Sequence, residues 1–183
     1  KYIAPERKFK LDKVPENMKY IGLEHIESNT GKVVDSGENT DPESSVNVFN
    51  NNDVLFGKLR PYLAKVFSPD FDGVCSGEFL VLVPKPQKVL SRFLFYKLIS
   101  EDFIKTVNDS TYGTKMPRAN WQFIGNQFVK FPSINEQQEI IDLLDSKTEL
   151  FSKIIKQVEK SVETLQEFKS SLISNVVTGK IKI

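Results

Sequence analysis

Pro132-Ser-Ile-Asn-Glu-Gln-Gln138 divides this chain into two parts of different kind. Pro132 closes the part before it, since its ring can continue neither a ladder nor a helix. Ser133 with Glu136 three residues on forms a capping-box pattern, and Asn135 with Gln138 offers a second version of it. From there to Val177 the sequence holds neither Gly nor Pro. Leu144, Thr148, Phe151, Ile155, Val158, Val162, Leu165 and Leu172 follow steps of three, four and seven, and the stripe slips only near Lys169, where Phe168 supplies another register. The pattern predicts a coiled-coil-forming helix of roughly forty residues, about 60 Å long at 1.5 Å per residue. One small domain cannot cover so long a stripe, so the helix is expected to pair with another of similar length. A long core helix within one domain is the alternative. Gly179 is placed to end the helix, before the tail Lys180-Ile-Lys-Ile183.

Working outward, residues 1–132 read as a globular mixed domain and 133–183 as a spacer or dimerisation helix with its tail, an α+β architecture. Short strands are expected over 18–23, 54–59, 62–67 and 79–83, with Pro61 interrupting the middle pair and Pro84 and Pro86 stopping the last. The polar stretch from Glu27 to Glu43 reads as turns. Leu90, Phe93, Leu94, Leu98, Ile104 and Val107 suggest one amphipathic helix of about five turns. A Gly- and Pro-marked loop follows from Asp109 to Arg118, and 128–131 is expected to be a last strand.

Composition narrows the function. Hydrophobic residues make up 39% of the 183, with 14 Phe, which is enough for a real core. A lone cysteine, Cys75, permits no internal disulfide and suits a reducing compartment. No apolar run is long enough to span a membrane and no signal peptide opens the chain, so a cytoplasmic protein is expected. Lys1 rather than Met stands first, so a few preceding residues are expected too. Net charge is only +1, but its distribution is uneven: residues 1–54 carry −3, 55–130 carry +5 and 131–183 carry −1. A basic middle could be a footprint for phosphate, or ordinary surface variation.

Catalysis finds little support. One His, His25, and one Cys cannot make a structural zinc site or a Cys–His nucleophile pair, and His25 reads as a packing or capping residue at a strand end. No phosphate loop or dinucleotide fingerprint is present, so no cofactor is expected. The triplets Glu6-Arg-Lys8 and Glu167-Phe-Lys169 lack the upstream Asp or the setting of a metal-dependent nuclease. Binding remains. Lys58, Arg60, Tyr62 and Lys65 surround the Pro-broken strand pair, and Tyr112, Thr114, Lys115, Arg118 and Asn120 lie in the loop after the amphipathic helix. Such side chains suit phosphate positioning and base-edge reading. Base readers could instead lie between Asn29 and Asn52, and Trp121 reads as core rather than as a stacking platform.

At this point the ordered motifs matter more than any one of them. Tyr20-Ile-Gly-Leu-Glu-His-Ile26 precedes Thr30-Gly31, then Gly57-Lys-Leu-Arg-Pro-Tyr-Leu-Ala-Lys65, then Ser76-Gly-Glu-Phe79. Tyr112-Gly-Thr-Lys-Met-Pro-Arg118, Phe131-Pro-Ser-Ile-Asn-Glu-Gln-Gln138 and Leu172-Ile-Ser-Asn-Val-Val-Thr-Gly-Lys180 complete the set. The whole resembles a specificity subunit of bacterial type I restriction-modification systems. The resemblance implies a non-catalytic chain whose target-recognition domain reads one half of a bipartite site in double-stranded DNA. It also implies long helices that pair antiparallel as a spacer, modification (methyltransferase) subunits that bring the methyl donor site, and a restriction subunit that translocates and cleaves. Family members usually carry two recognition domains and two helices, whereas one of each is present here. The chain is then a fragment or half-subunit, and pairing of two copies as a homodimer would make the target an interrupted palindrome. A specificity polypeptide of a related restriction enzyme and a coiled-coil adaptor with a protein-binding head stay open as alternatives.

Overall fold

In the computed structural model, residues 1–34, 45–111 and 115–181 are described. In chain order the strands are β1 (Lys10–Leu11), β2 (Lys19–Ile21), β3 (Val46–Phe49), β4 (Val54–Gly57), β5 (Val66–Phe67), β6 (Gly73–Ser76) and β7 (Phe79–Leu82). The helices are α1 (Ser91–Ile99), α2 (Glu101–Asp109), α3 (Trp121–Ile124) and α4 (Ile134–Val177). Two compact units result, Lys1–Glu139 and Ile140–Ile183. The α+β class with a long C-terminal helix is as the sequence suggests.

Two small sheets make the centre of the first unit. One has the order β1-β3-β6-β2, antiparallel except for the parallel β6–β2 pair; the other has the order β5-β4-β7 and is antiparallel throughout. All four residues of β4 and of β7 are buried, so both faces of the second sheet are covered. Side chains alternate between those faces. Leu55, Phe79 and Val81 join Ile21, Phe49 and Cys75 of the first sheet in one core cluster. Phe56 points the other way and meets Phe103 of α2 edge-on, with ring centroids 6.0 Å apart. Helices, second sheet and first sheet thus form three layers. Burial pushes the Cys75 thiol far up, so it packs as a small apolar side chain.

Several local expectations are corrected. The single helix over 90–107 is two, because Ser100 adopts φ −64°, ψ 143° between α1 and α2. Ile104 lies six residues beyond Leu98, about 120° off a helical stripe, so each helix buries its own face. The Ser100 hydroxyl donates to the Lys97 carbonyl (2.7 Å), while the Ser100 carbonyl accepts the Ile104 amide (3.0 Å) and opens α2. Residues 62–67 are not one strand. Pro61–Leu63 form a 3-10 turn between two left-handed residues, Arg60 (φ 50°) and Ala64 (φ 47°), and only β5 is extended. The stretch 128–131 forms no strand; Phe128 stands fully in solvent.

Other readings hold. His25 is buried, and its Nδ1 accepts the Gly22 amide at 2.9 Å, the packing and capping role read from the sequence. Residues 27–34 turn back, with the Glu27 amide on the Lys32 carbonyl (2.8 Å) and the Val34 amide on the His25 carbonyl (3.0 Å); of the remaining polar stretch, residues 35–44 lie outside the described residues. Gly31 sits at φ +69°, and a Cβ there would collide with the Val66 carbonyl and the Phe95 ring. Gly31→Ala is therefore expected to destabilise the domain by about 2–4 kcal/mol, from left-handed strain plus overpacking. Urea unfolding checks this; a loss below about 1 kcal/mol would mean that the turn relaxes.

The capping box at the start of α4 is formed. The Ser133 amide and hydroxyl both donate to Glu136 Oε2 (2.9 and 2.7 Å), and the Glu136 amide reaches back to Ser133 Oγ at 3.4 Å. These bonds, the hydroxyl's first, hold the Glu136 carboxyl below its ordinary value. At the far end Gly179 adopts φ +72°, and the Lys180 and Ile181 amides close on the Asn175 carbonyl (2.9 and 3.2 Å). No helix among the described residues is long and apolar enough to cross a membrane.

Candidate nucleic-acid interface

The two groups of sequence-selected side chains, far apart in the chain, are drawn together by backbone hydrogen bonds. Leu59 and Arg118 form an antiparallel bridge. The Ala119 amide donates to the Lys58 carbonyl (2.9 Å) and the Arg60 amide to the Pro117 carbonyl (2.8 Å). On the other flank of the same segment, the Gly57 amide donates to the Lys65 carbonyl (2.9 Å) and the Lys58 amide to the Glu78 carbonyl (2.8 Å). Lys58, Arg60, Lys65 and Arg118 therefore rise from one backbone knot, with Lys115 three residues before Arg118 and exposed.

Their environments differ. Lys65 is tethered, its Nζ donating to the Leu23 carbonyl at 2.7 Å. Arg60 is half-buried, and its Nε–H is enclosed without a hydrogen-bond partner. Tyr62 is half-exposed on the 3-10 turn. Arg118 is exposed and grips Glu78 through two bonds, Nε to Oε2 (3.2 Å) and Nη2 to Oε1 (3.0 Å). The carboxylate beside it raises the Arg118 pKa further, so the guanidinium stays charged. Asn120 spends its side-chain oxygen capping α3, accepting the Gln122 amide at 2.7 Å. Tyr112 and Thr114 lie outside the described residues. In the alternative region, Asn47 is buried and its amide serves the Phe79 carbonyl (3.0 Å), whereas Asn51 and Asn52 are exposed. Trp121 is half-buried and lines a small cavity with Ile3, Leu94 and Phe103.

Sequence reasoning missed Glu78, forty residues from its partner, although the motif Ser76-Gly-Glu-Phe79 that contains it was singled out. It also missed Gln137, fully buried in the first unit. The second unit presents the long stripe to solvent: Phe151, Ile155, Val158, Val162, Leu165 and Leu172 are all exposed, and Leu144 is half-buried. Leu143, Leu150, Ile154 and Ile173 widen that face beyond the seam taken from the sequence.

Residues 4–164 match the family model described as the type I restriction modification DNA specificity domain. The chain belongs to this family. The chain is 28% identical over 183 residues to the type I restriction enzyme EcoDI specificity subunit of Escherichia coli, covering 98% of this chain and 40% of that protein. It is 31% identical over 134 residues to the MjaVIII specificity subunit of Methanocaldococcus jannaschii, covering 73% of this chain and 30% of the relative. Among solved structures, the HsdS subunit from Thermoanaerobacter tengcongensis superposes with a TM-score of 0.65 at 22% identity, over 84% of this chain and 42% of that one. A chain from a structure of a type I restriction-modification complex superposes with a TM-score of 0.68 at 22% identity, over 99% and 48%. The chain thus spans less than half the length of these relatives, and it shares the fold of the two solved structures.

Proposed function

We propose that this chain is the DNA-reading, non-catalytic part of a type I specificity subunit, with its globular unit reading one half of a bipartite duplex site. The observation that carries the reading is the backbone knot that gathers Lys58, Arg60, Lys65 and Arg118 in a chain of the specificity-domain family. Cations on a hydrogen-bonded frame suit a duplex, whose phosphates supply most of the affinity while base edges supply discrimination. Arg60 adds to the case. Its half-buried side chain leaves the head of a turn whose backbone is fixed at φ 50°, so the place where it emerges from the knot is set.

The exposed stripe of α4 supports the second half of the proposal. Such a face needs a helix of comparable length, supplied by a second copy or by the remainder of a longer subunit. Modification subunits would dock on the resulting assembly and bring the methyl donor site, and a restriction subunit would add cleavage. Two paired copies would read an interrupted palindrome.

The test is reconstitution with the neighbouring modification subunit and a methyl donor, followed by mapping of methylated positions on random DNA. Methylation at one interrupted motif, lost when this chain is omitted, is the expected result. Association without methylation would mean that a second specificity half is required. Failure to associate, with both proteins folded, would turn the reading towards a protein-binding adaptor.

A further inference from the structure

The Glu78–Arg118 pair is more specific than a cation on a basic surface. A guanidinium carries five N–H donors in a rigid plane. Glu78 takes one from Nε and one from Nη2. The end-on fork, made by Nη1 and the second Nη2 hydrogen, lies in the same plane and is turned away from the carboxylate. The side chain is thus held along one edge while it remains exposed. Its backbone is held as well, by the Leu59–Arg118 bridge and the flanking Arg60 and Ala119 amide bonds.

Electrostatics then separates two roles. A phosphate contact works through net positive charge, because binding releases counterions condensed on the DNA. A carboxylate joined directly to the guanidinium by two hydrogen bonds cancels most of that charge, so the pair is a poor phosphate clamp. A base contact works through direction. A planar fork fixed in orientation matches the O6 and N7 acceptors that guanine presents in the major groove, and fixing it beforehand removes the entropy of ordering a long side chain.

Resting on the DNA-reading proposal above, we infer that Arg118 reads one guanine of the half-site and that Glu78 is the positioning residue that aims it. Lys58 and Lys115, which no carboxylate among the described residues holds in this way, carry the phosphate contacts.

Binding of the full chain to duplexes tests this, using its selected target, single-base variants of it and unrelated DNA across a salt series. Arg118→Ala should lower affinity for the target roughly ten- to hundred-fold and erase the preference at one G·C pair, leaving the salt slope unchanged. Arg118→Lys should do nearly the same, because an ammonium keeps the charge and loses the fork. This variant also guards against a folding defect. Glu78→Gln should weaken the target about ten-fold while strengthening unrelated DNA, since it frees charge and loosens aim; Glu78→Asp should restore part of the discrimination. The inference is overturned if Arg118→Ala weakens all sequences alike and flattens the salt slope by about one phosphate, or if Glu78→Gln improves the target as much as it improves unrelated DNA. Absence of any sequence preference in the unsubstituted chain is a separate outcome, which removes the DNA-reading proposal itself.

Discussion

Replacing Gln137 with leucine is expected to lower the unfolding free energy by about 3–4 kcal/mol, the sum of polar groups left unmatched less a small apolar gain. Gln137 is fully buried in the first unit, in the first turn of α4. Its Oε1 accepts the Leu90 amide at 2.9 Å, and its Nε2 donates to the carbonyls of Lys88 and Pro132, both at 3.0 Å. Leucine fills nearly the same space and satisfies none of the three. Glutamate is the informative second variant. Its carboxylate still accepts from Leu90 but faces two carbonyls that need a donor, so at neutral pH the loss should be at least as large. That buried carboxyl would have its folded pKa raised, so stability should be recovered as pH falls through it, when the protonated group can donate again. Urea titrations of the three proteins at two pH values measure all of this. A loss below 1 kcal/mol in the leucine variant would mean that water replaces the amide.

The other large effect is on association. Val158→Glu with Leu165→Glu places two carboxylates in the middle of the exposed stripe of α4. Paired antiparallel, each chain would bury both, and each uncompensated charge costs about 2–4 kcal/mol. Loss of self-association is expected, by at least a thousand-fold in the dissociation constant. The double variant should stay helical, because glutamate is a good helix former. Light scattering after size-exclusion chromatography reads the mass, and circular dichroism reads the helix. A mass unchanged from that of the unsubstituted dimer would remove the seam from the proposal. An unsubstituted chain that is already monomeric would place the helical partner elsewhere in a longer subunit.

What the sequence made legible follows from how local each signal was. The capping box of Ser133 and Glu136 and the end at Gly179 involve neighbours a few residues apart, and they formed as read. Leu98 and Ile104 are equally local, yet the slip in phase between them was overlooked, and two helices were taken for one. The 3-10 turn after Arg60 depends on two left-handed residues, neither of them Gly or Asn, so composition gave no warning. At the candidate interface the cations were found from their chemistry. Their partners were not, because a salt bridge to Glu78 or a tether from Lys65 to the Leu23 carbonyl joins residues that only the fold makes adjacent. Asn120, selected as a polar contact, also caps α3 through its side-chain oxygen, a role that its position just before a short apolar turn could have marked.

The knot that carries Lys58, Arg60 and Arg118 is tied by amides and carbonyls alone. Main-chain ties are indifferent to which side chains they support. A lineage that reads DNA as proposed could therefore exchange the pair at 78 and 118 together and keep the scaffold beneath it, acquiring a new target word without refolding. For a chain that reads DNA as proposed, that separation of frame from lettering makes a change of target mechanically cheap.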